Sequence, residues 1–266
     1  MAQQPKMAAA FLLRGVGANE PAAPKRRRVG GTRLRGSFGT GIRPPDAFEI
    51  AFTDNSGLKP ERSTSGELGV TQALAGGAVQ LDATAFLNRY TDLIISVGRT
   101  LSGVSRYRTD NISNARARGL EASAAARVTA GFEIRAAYTF LDSEILAVNG
   151  AVTAQAPYAV GDALLRRPRH QSSIDAAWSR SKGGAFIQLI VRGQALDAEP
   201  SFGPSGGLYQ NPGHTVANLG GSWKPARSVE VFARVLNLFD RSYEEVLGYP
   251  APGRTAYVGA RVVVGR

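Results

Sequence analysis

Few side chains in this sequence are of the kind that does covalent or metal chemistry. Cysteine is absent and histidine occurs twice, as His170 and His214, each close to a proline or glycine at the start of an apolar stretch. Zinc takes three or four close ligands, and without thiolates the carboxylates would have to converge from separate strands. Ser172 and Ser173 follow His170, yet a serine nucleophile needs a base aimed at it and a third group orienting that base, and no spacing here suggests either. Gly36, Gly39 and Gly41 look like a phosphate-cradling loop, which needs a strand before it and a helix N-terminus after it. Pro44 and Pro45 stand where that helix would begin. The expectation is therefore no catalytic residue, no metal site and no cofactor, so not an enzyme.

The formal charge of +11 invites a nucleic-acid reading. Its distribution argues against one. The cations are mostly Arg spread singly among small or acidic neighbours, and only Lys25 to Arg28 form a block. No nucleic-acid partner is expected; an arginine-lined channel wall accounts for the charge better.

The elements that carry these residues alternate with period two. Phe132, Ile134, Ala136, Tyr138 and Phe140 oppose Glu133, Arg135, Ala137 and Thr139, and Val258, Ala260, Val262 and Val264 oppose Tyr257, Gly259 and Arg261. Phe86 and Phe232 break the phase. Ten strands are expected, at 32 to 40, 64 to 75, 78 to 97, 106 to 128, 130 to 144, 168 to 180, 183 to 196, 213 to 224, 228 to 238 and 254 to 264. Tight turns near Gly76-Gly77, Thr129-Ala130, Lys182-Gly183 and Pro225-Ala226 alternate with long connections, as the two rims of an outer-membrane barrel do. No run approaches 18 consecutive apolar residues, so a membrane protein of this composition would cross with strands. Phe132, Ile134, Tyr138 and Trp178 should then face outward on the convex side, and Glu121, Arg127, Arg135, Arg234 and Arg261 inward.

Three stretches carry a resemblance. Leu58-Lys59-Pro60-Glu61-Arg62-Ser63 with Glu67, the segment Asn111 to Glu121 with Gly119, and Asn237-Leu238-Phe239-Asp240 followed by Gly253-Arg254, Gly259 and Arg261 resemble signature elements of TonB-dependent outer-membrane receptors. The stretch from Thr32 to Ile50 resembles a further segment of the family. The likeness covers about Thr32 to Val264 and corresponds to the C-terminal half of the family's barrel. Where the family closes on an aromatic residue read by the assembly machinery, this chain has Val264, which implies less efficient insertion.

The resemblance implies an all-β fold, an antiparallel meander of about ten strands forming part of a transmembrane outer-membrane β-barrel. It implies location in the cell outer membrane, contact with its lipid, and uptake of a siderophore, cobalamin or similar nutrient. Family members carry a signal peptide, a TonB-recruiting segment, a plug and a barrel of about twenty-two strands. Residues 32 to 266 are read as the C-terminal part of such a barrel. Residues 1 to 31 are read as a disordered or non-homologous segment, since Arg14 interrupts a weak secretory pattern. The expectation is a receptor fragment that does not transport alone, with TonB a partner only of the full-length family member. Lys59, Glu61, Arg62 and Glu67 are expected to anchor a long loop through opposite charges. Phe48, Phe52, Tyr158, Phe202, Tyr209, Tyr243 and Tyr249 lie in the long connections and would contact an extracellular ligand or pack the loops. Two other readings stand beside this one: a small stand-alone outer-membrane porin or surface-binding barrel, and a soluble basic β protein binding polyanions through Lys25 to Arg28.

Overall fold

The computed structural model describes residues 31–51, 57–96, 109–148, 159–198 and 208–264. Ten long strands form one sheet. In chain order the elements are β1 (Thr32–Arg43), α1 (Ala47–Ala51), β2 (Glu61–Leu74), β3 (Val79–Ser96), β4 (Thr109–Thr129), β5 (Phe132–Ala147), β6 (His170–Arg180), β7 (Gly183–Arg192), β8 (Ala195–Ala198), β9 (Leu208–Asn211), β10 (His214–Ala226), β11 (Val229–Leu236), β12 (Glu244–Val246), β13 (Tyr249–Pro250) and β14 (Thr255–Val262). The sheet order is β1-β2-β3-β4-β5-β6-β7-β10-β11-β14, with every neighbouring pair antiparallel. It is an all-β meander, and β8–β9 and β12–β13 are separate two-stranded ribbons inside connections. Helix α1 is five residues long.

Alternation of side chains makes the sheet two-faced, and the register shows how consistently. Directly opposed residues share a face, so the pairs Thr84↔Glu121↔Thr139, Arg127↔Glu133, Arg135↔Asp175↔Gln188↔Asn218, Arg234↔Tyr257 and Glu230↔Arg261 define a polar face. Glu121, Arg127, Arg135, Arg234 and Arg261 all lie on it. The opposite face collects Leu34, Phe38, Leu68, Ile174, Ile187 and Val258, each at least half exposed. It also holds Phe132, Ile134, Tyr138 and Trp178. Phe132, Trp178 and Trp223 mark one rim of this apolar belt, and Tyr138 and Phe140 the other. The eight steps from Phe132 to Phe140 cover roughly 27 Å at about 3.4 Å per residue, enough for a bilayer belt of about 25 Å.

Short turns gather at one end and long connections at the other. Gly131 takes φ 82°, and Gly76 and Gly77 take 66° and 87°, a region closed to most L-residues. The fourth turn is made by Arg227 and Ser228, two residues beyond the Pro225-Ala226 expectation, because β10 carries a bulge between Trp223 and Ala226 that lengthens it. Other boundaries shift as well. β2 begins at Glu61, three residues early, and β7 stops at Arg192 instead of 196, because Ala195–Ala198 pairs with Leu208–Asn211 instead of with β6.

The two phase-breaking phenylalanines have a shared cause. Phe86 sits opposite Gly119, Phe186 opposite Gly220 and Phe232 opposite Gly259, all on the polar face. A Cβ at Gly119 would stand 2.7 Å from Phe86 Cζ, and one at Gly220 would stand 2.6 Å from Phe186 Cε1; at Gly259 it would strike the Phe232 ring. Each ring occupies the space where its neighbour's side chain would stand, which lets an aromatic sit on a face otherwise polar. Among the described residues, the cluster of buried apolar side chains lies at the long-connection end. There Ala115 and Ile145 meet Leu164, with Tyr90, Leu93, Leu165 and Leu208 around them. Residues 159–165 fold back along β5 through Ile145 N–H to Asp162 C=O (2.8 Å) and Gly161 N–H to Ile145 C=O (2.9 Å).

Candidate ligand-facing loop layer

Three sets of polar contacts tie the long connections to the sheet end. In the first, Arg43 at the tip of β1 makes a bidentate pair with Glu61 (2.6 and 2.7 Å) and another with Glu49 (3.0 and 3.0 Å). Both carboxylates hold the guanidinium charged and raise its pKa, Glu61 most. Glu49 is fixed by a reciprocal cap with Asp46, each backbone N–H donating to the other's carboxylate at 2.8 and 2.7 Å. Glu61 also accepts from Ile94 N–H at 2.8 Å. Lys59 takes part through its backbone: its N–H donates to Asn111 Oδ1 and its C=O accepts from Asn111 Nδ2, both at 2.9 Å. Pro60 lies between these anchors. Arg62 opposes Ile42 and Thr91 on the apolar face, and Glu67 sits on the polar face, 3.5 Å from Ser37 Oγ. The charges of this stretch thus diverge, and the partner of Glu61 is Arg43, eighteen residues upstream.

The second set centres on Asn237, buried with φ 50°. Its Oδ1 accepts from Arg241 N–H (2.8 Å), its Nδ2 donates to the carbonyls of Arg241 (2.8 Å) and Pro252 (3.3 Å), and its own N–H donates to Asn218 Oδ1 (2.9 Å). Asparagine tolerates the left-handed region and can bond locally there. Asp240, also left-handed at φ 54°, accepts from Arg254 N–H at 2.7 Å. A Cβ at Gly253 would come 2.8 Å from Asp240 Oδ1, so glycine before Arg254 leaves the carboxylate its place. Leu238 N–H donates to Ala217 C=O at 2.8 Å, and Phe239 is exposed. The corner closes a loop of residues 237–254 with one buried amide.

Sequence reasoning missed the third set. Asp197, fully buried on β8, accepts from Arg166 Nε at 2.7 Å and from Leu247 N–H at 2.9 Å. Arg166 N–H donates to Leu196 C=O at 2.6 Å. One carboxylate therefore joins three connections that are far apart in sequence. A lone aspartate in the apolar run Ala195-Leu196-Asp197-Ala198 was the only signal, since a charge is seldom fully buried without partners.

Around these anchors stand the aromatic candidates. Tyr243 stacks on His214 at 4.1 Å between centroids, and burial, with a smaller push from Glu245, raises its phenol pKa. Tyr249 on β13 and Tyr209 on β9 are exposed. Phe48 belongs to α1; Phe52, Tyr158 and Phe202 lie outside the described residues. The histidines are far apart in role: His170 takes a hydrogen bond of 2.8 Å with Tyr138 Oη on the apolar face, while His214 belongs to the loop layer. Below the layer the polar face runs as a ladder of arginines and their partners, with Arg35 near Asp82 (3.6 Å), Arg135 on Glu133 (2.9 Å) and Arg261 near Glu230 (3.4 Å). Arg234 lies 4.6 Å over the Tyr257 ring.

Comparison with known proteins places this geometry. The family model described as "TonB dependent receptor-like, beta-barrel" matches residues 28–238. An iron-regulated outer membrane virulence protein of Vibrio cholerae is 26% identical over an alignment of 249 residues that covers 85% of this chain and 36% of that protein. The siderophore receptor PiuA of Acinetobacter baumannii superposes with a TM-score of 0.67 at 16% identity over 87% of this chain and 34% of its own. The pyoverdine outer membrane receptor FpvA of Pseudomonas aeruginosa PAO1 superposes with a TM-score of 0.66 at 15% identity over 88% of this chain and 34% of its own. The chain spans about a third of the length of the relatives it matches.

Proposed function

This chain belongs to the TonB-dependent receptor family, as part of its outer-membrane β-barrel, and on that premise we propose that residues 32–264 supply the wall and the ligand-facing loop layer of a receptor for a ferric siderophore or similar scarce nutrient. The observation that carries the reading is the layer held by Arg43, Asp197 and Asn237 at the long-connection end of a polar wall. Long loops are the extracellular ones in such barrels, so a pre-ordered layer with Tyr209 and Tyr249 exposed stands where a ligand arrives. The relatives' iron regulation and siderophore binding favour an iron chelate over cobalamin. The reading assigns the chain transport in place of catalysis, and its motif residues Lys59, Glu61, Asn237, Asp240 and Gly253 to loop anchoring.

Energy coupling in the family uses a plug and a TonB-contacting segment, and the described residues form wall and loops. The test replaces the corresponding part of the Vibrio cholerae relative with residues 32–264, in a strain lacking its own siderophore receptors. Labelled ferric siderophores should accumulate in a TonB-dependent manner, and Tyr209→Ala with Tyr249→Ala should lower their binding severalfold. Residues 1–266 alone should give no TonB-dependent accumulation; uptake by them alone would overturn that part of the reading, and a chimera that inserts but binds no iron chelate would overturn the substrate class.

A further inference from the structure

Charge on the lipid-facing side of a barrel is costly at mid-belt and tolerated only near the interfaces. Outward positions of β3 to β5 are apolar or aromatic until the extracellular end and then change sharply. Ala85, Leu120 and Phe140 form the last apolar tier, directly opposed along the register. In the next, Leu87 is followed by Arg118 and Asp142; above that, Arg89 directly opposes Arg116, which opposes Glu144. Arg62 stands on the same face one step higher, opposite Thr91. Arg169 joins from the end of the β5–β6 connection, its guanidinium 5.4 Å over the Phe140 ring and 3.9 Å from Asp142.

Five arginines thus face two carboxylates. Glu144 is taken by Arg116 at 2.6 Å and Asp142 by Arg118 at 2.9 Å. Arg62 and Arg89 have no acidic partner among the described residues, and both are exposed. Like charges directly opposite one another, as Arg89 and Arg116 are, destabilise a sheet, and these point outward, where neither lumen water nor the loop layer serves them. An anion at this level would relieve the repulsion. Guanidinium groups match phosphate oxygens in a planar fork, and half-exposed Leu87 and Leu120 lie immediately below.

We propose that this patch is a binding site for a bis-phosphorylated lipid of the outer leaflet, with one phosphate held by the neighbouring Arg62 and Arg89, the second by Arg169 two or more strands away, and acyl chains lying along Leu87, Leu120 and Phe140. A membrane lipid is favoured over a free anion because the cations cap an apolar belt without a gap, and a cation on an aromatic ring at the rim keeps one end apolar and the other wet. The site depends on the outward face alone and stands whatever nutrient the receptor carries.

Native mass spectrometry on the full chain in non-ionic detergent tests this, with bis-phosphorylated lipid A, its dephosphorylated form and inorganic phosphate as probes. The phosphorylated lipid should bind at least tenfold more tightly than the dephosphorylated one. The triple variant Arg62→Gln, Arg89→Gln, Arg169→Gln should lose that preference, and Arg135→Gln with Arg234→Gln on the polar face should keep it. Equal binding of both lipids to the unsubstituted chain would overturn the proposal without recourse to any variant. So would a preference that survives the triple substitution in protein with normal heat-modifiable migration, or full displacement of lipid by millimolar phosphate, which would mark a free-anion site.

Discussion

Asn237 shows how much one amide does at a corner of this fold. Its side chain makes three hydrogen bonds to backbone across the loop it closes. At roughly 1 kcal/mol each, Asn237→Gly should cost about 3 kcal/mol, and Asn237→Ala about 1 more because alanine strains at positive φ. Urea unfolding of the chain refolded into phosphocholine vesicles would measure both. Gly259 presents the reverse problem, a side chain that cannot be added. Gly259→Ala pushes a methyl into the Phe232 ring and should cost about 1 to 3 kcal/mol. In the Phe232→Ala background the same change should cost much less, and a double-mutant cycle reads that coupling. The phenylalanines at 86 and 232 stand out in the sequence as errors of phase. Their glycine partners lie on other strands, so no window along the chain could have supplied the explanation.

At the scale of the strand, alternation was legible because each long strand keeps one solvent per face for most of its length. Expected and observed spans differ mostly at ends, where hydrogen bonds to loops decide the last residue. β8, β9, β12 and β13 escaped notice since runs of two to four residues are too short to show a period. The Lys59 to Glu67 signature was visible as a block, yet its mechanism was not: charges near in sequence point to opposite faces, and the working pair joins Arg43 to Glu61. The faces themselves can be tested at adjacent positions on β5. Ala136→Arg points into the apolar belt between Ala124 and Ile174, and Ala137→Arg points to the polar face between Ser123 and Ser173. The first should cost about 2 to 4 kcal/mol and the second under about 1 kcal/mol, again by unfolding from vesicles.

Across the whole molecule, contacts between distant connections make the loop layer a unit. Asp197→Ala leaves Arg166 and Leu247 N–H without their shared acceptor, and a buried group so orphaned costs more than the bond was worth. Limited proteolysis should then cut the connections around residues 159–169, 193–213 and 237–254 together, while heat-modifiable migration of the sheet persists; cleavage confined to one of them would mean the loops are independent. A different long-range feature crosses the strands below. Gln188 donates to Asp175 at 2.8 Å and accepts from Asn218 at 3.0 Å, and Asn218 accepts from Asn237 N–H at 2.9 Å. The three side chains are register partners, each using one end of its amide or carboxylate for the next strand. Sliding one strand by a single residue would turn its member toward lipid, and sliding by two would carry it about 7 Å from its mate. The run behaves as a key cut for one alignment. A hairpin paired in any other register would leave these side chains without their mates, so the run favours one alignment of β6, β7 and β10 over its neighbours.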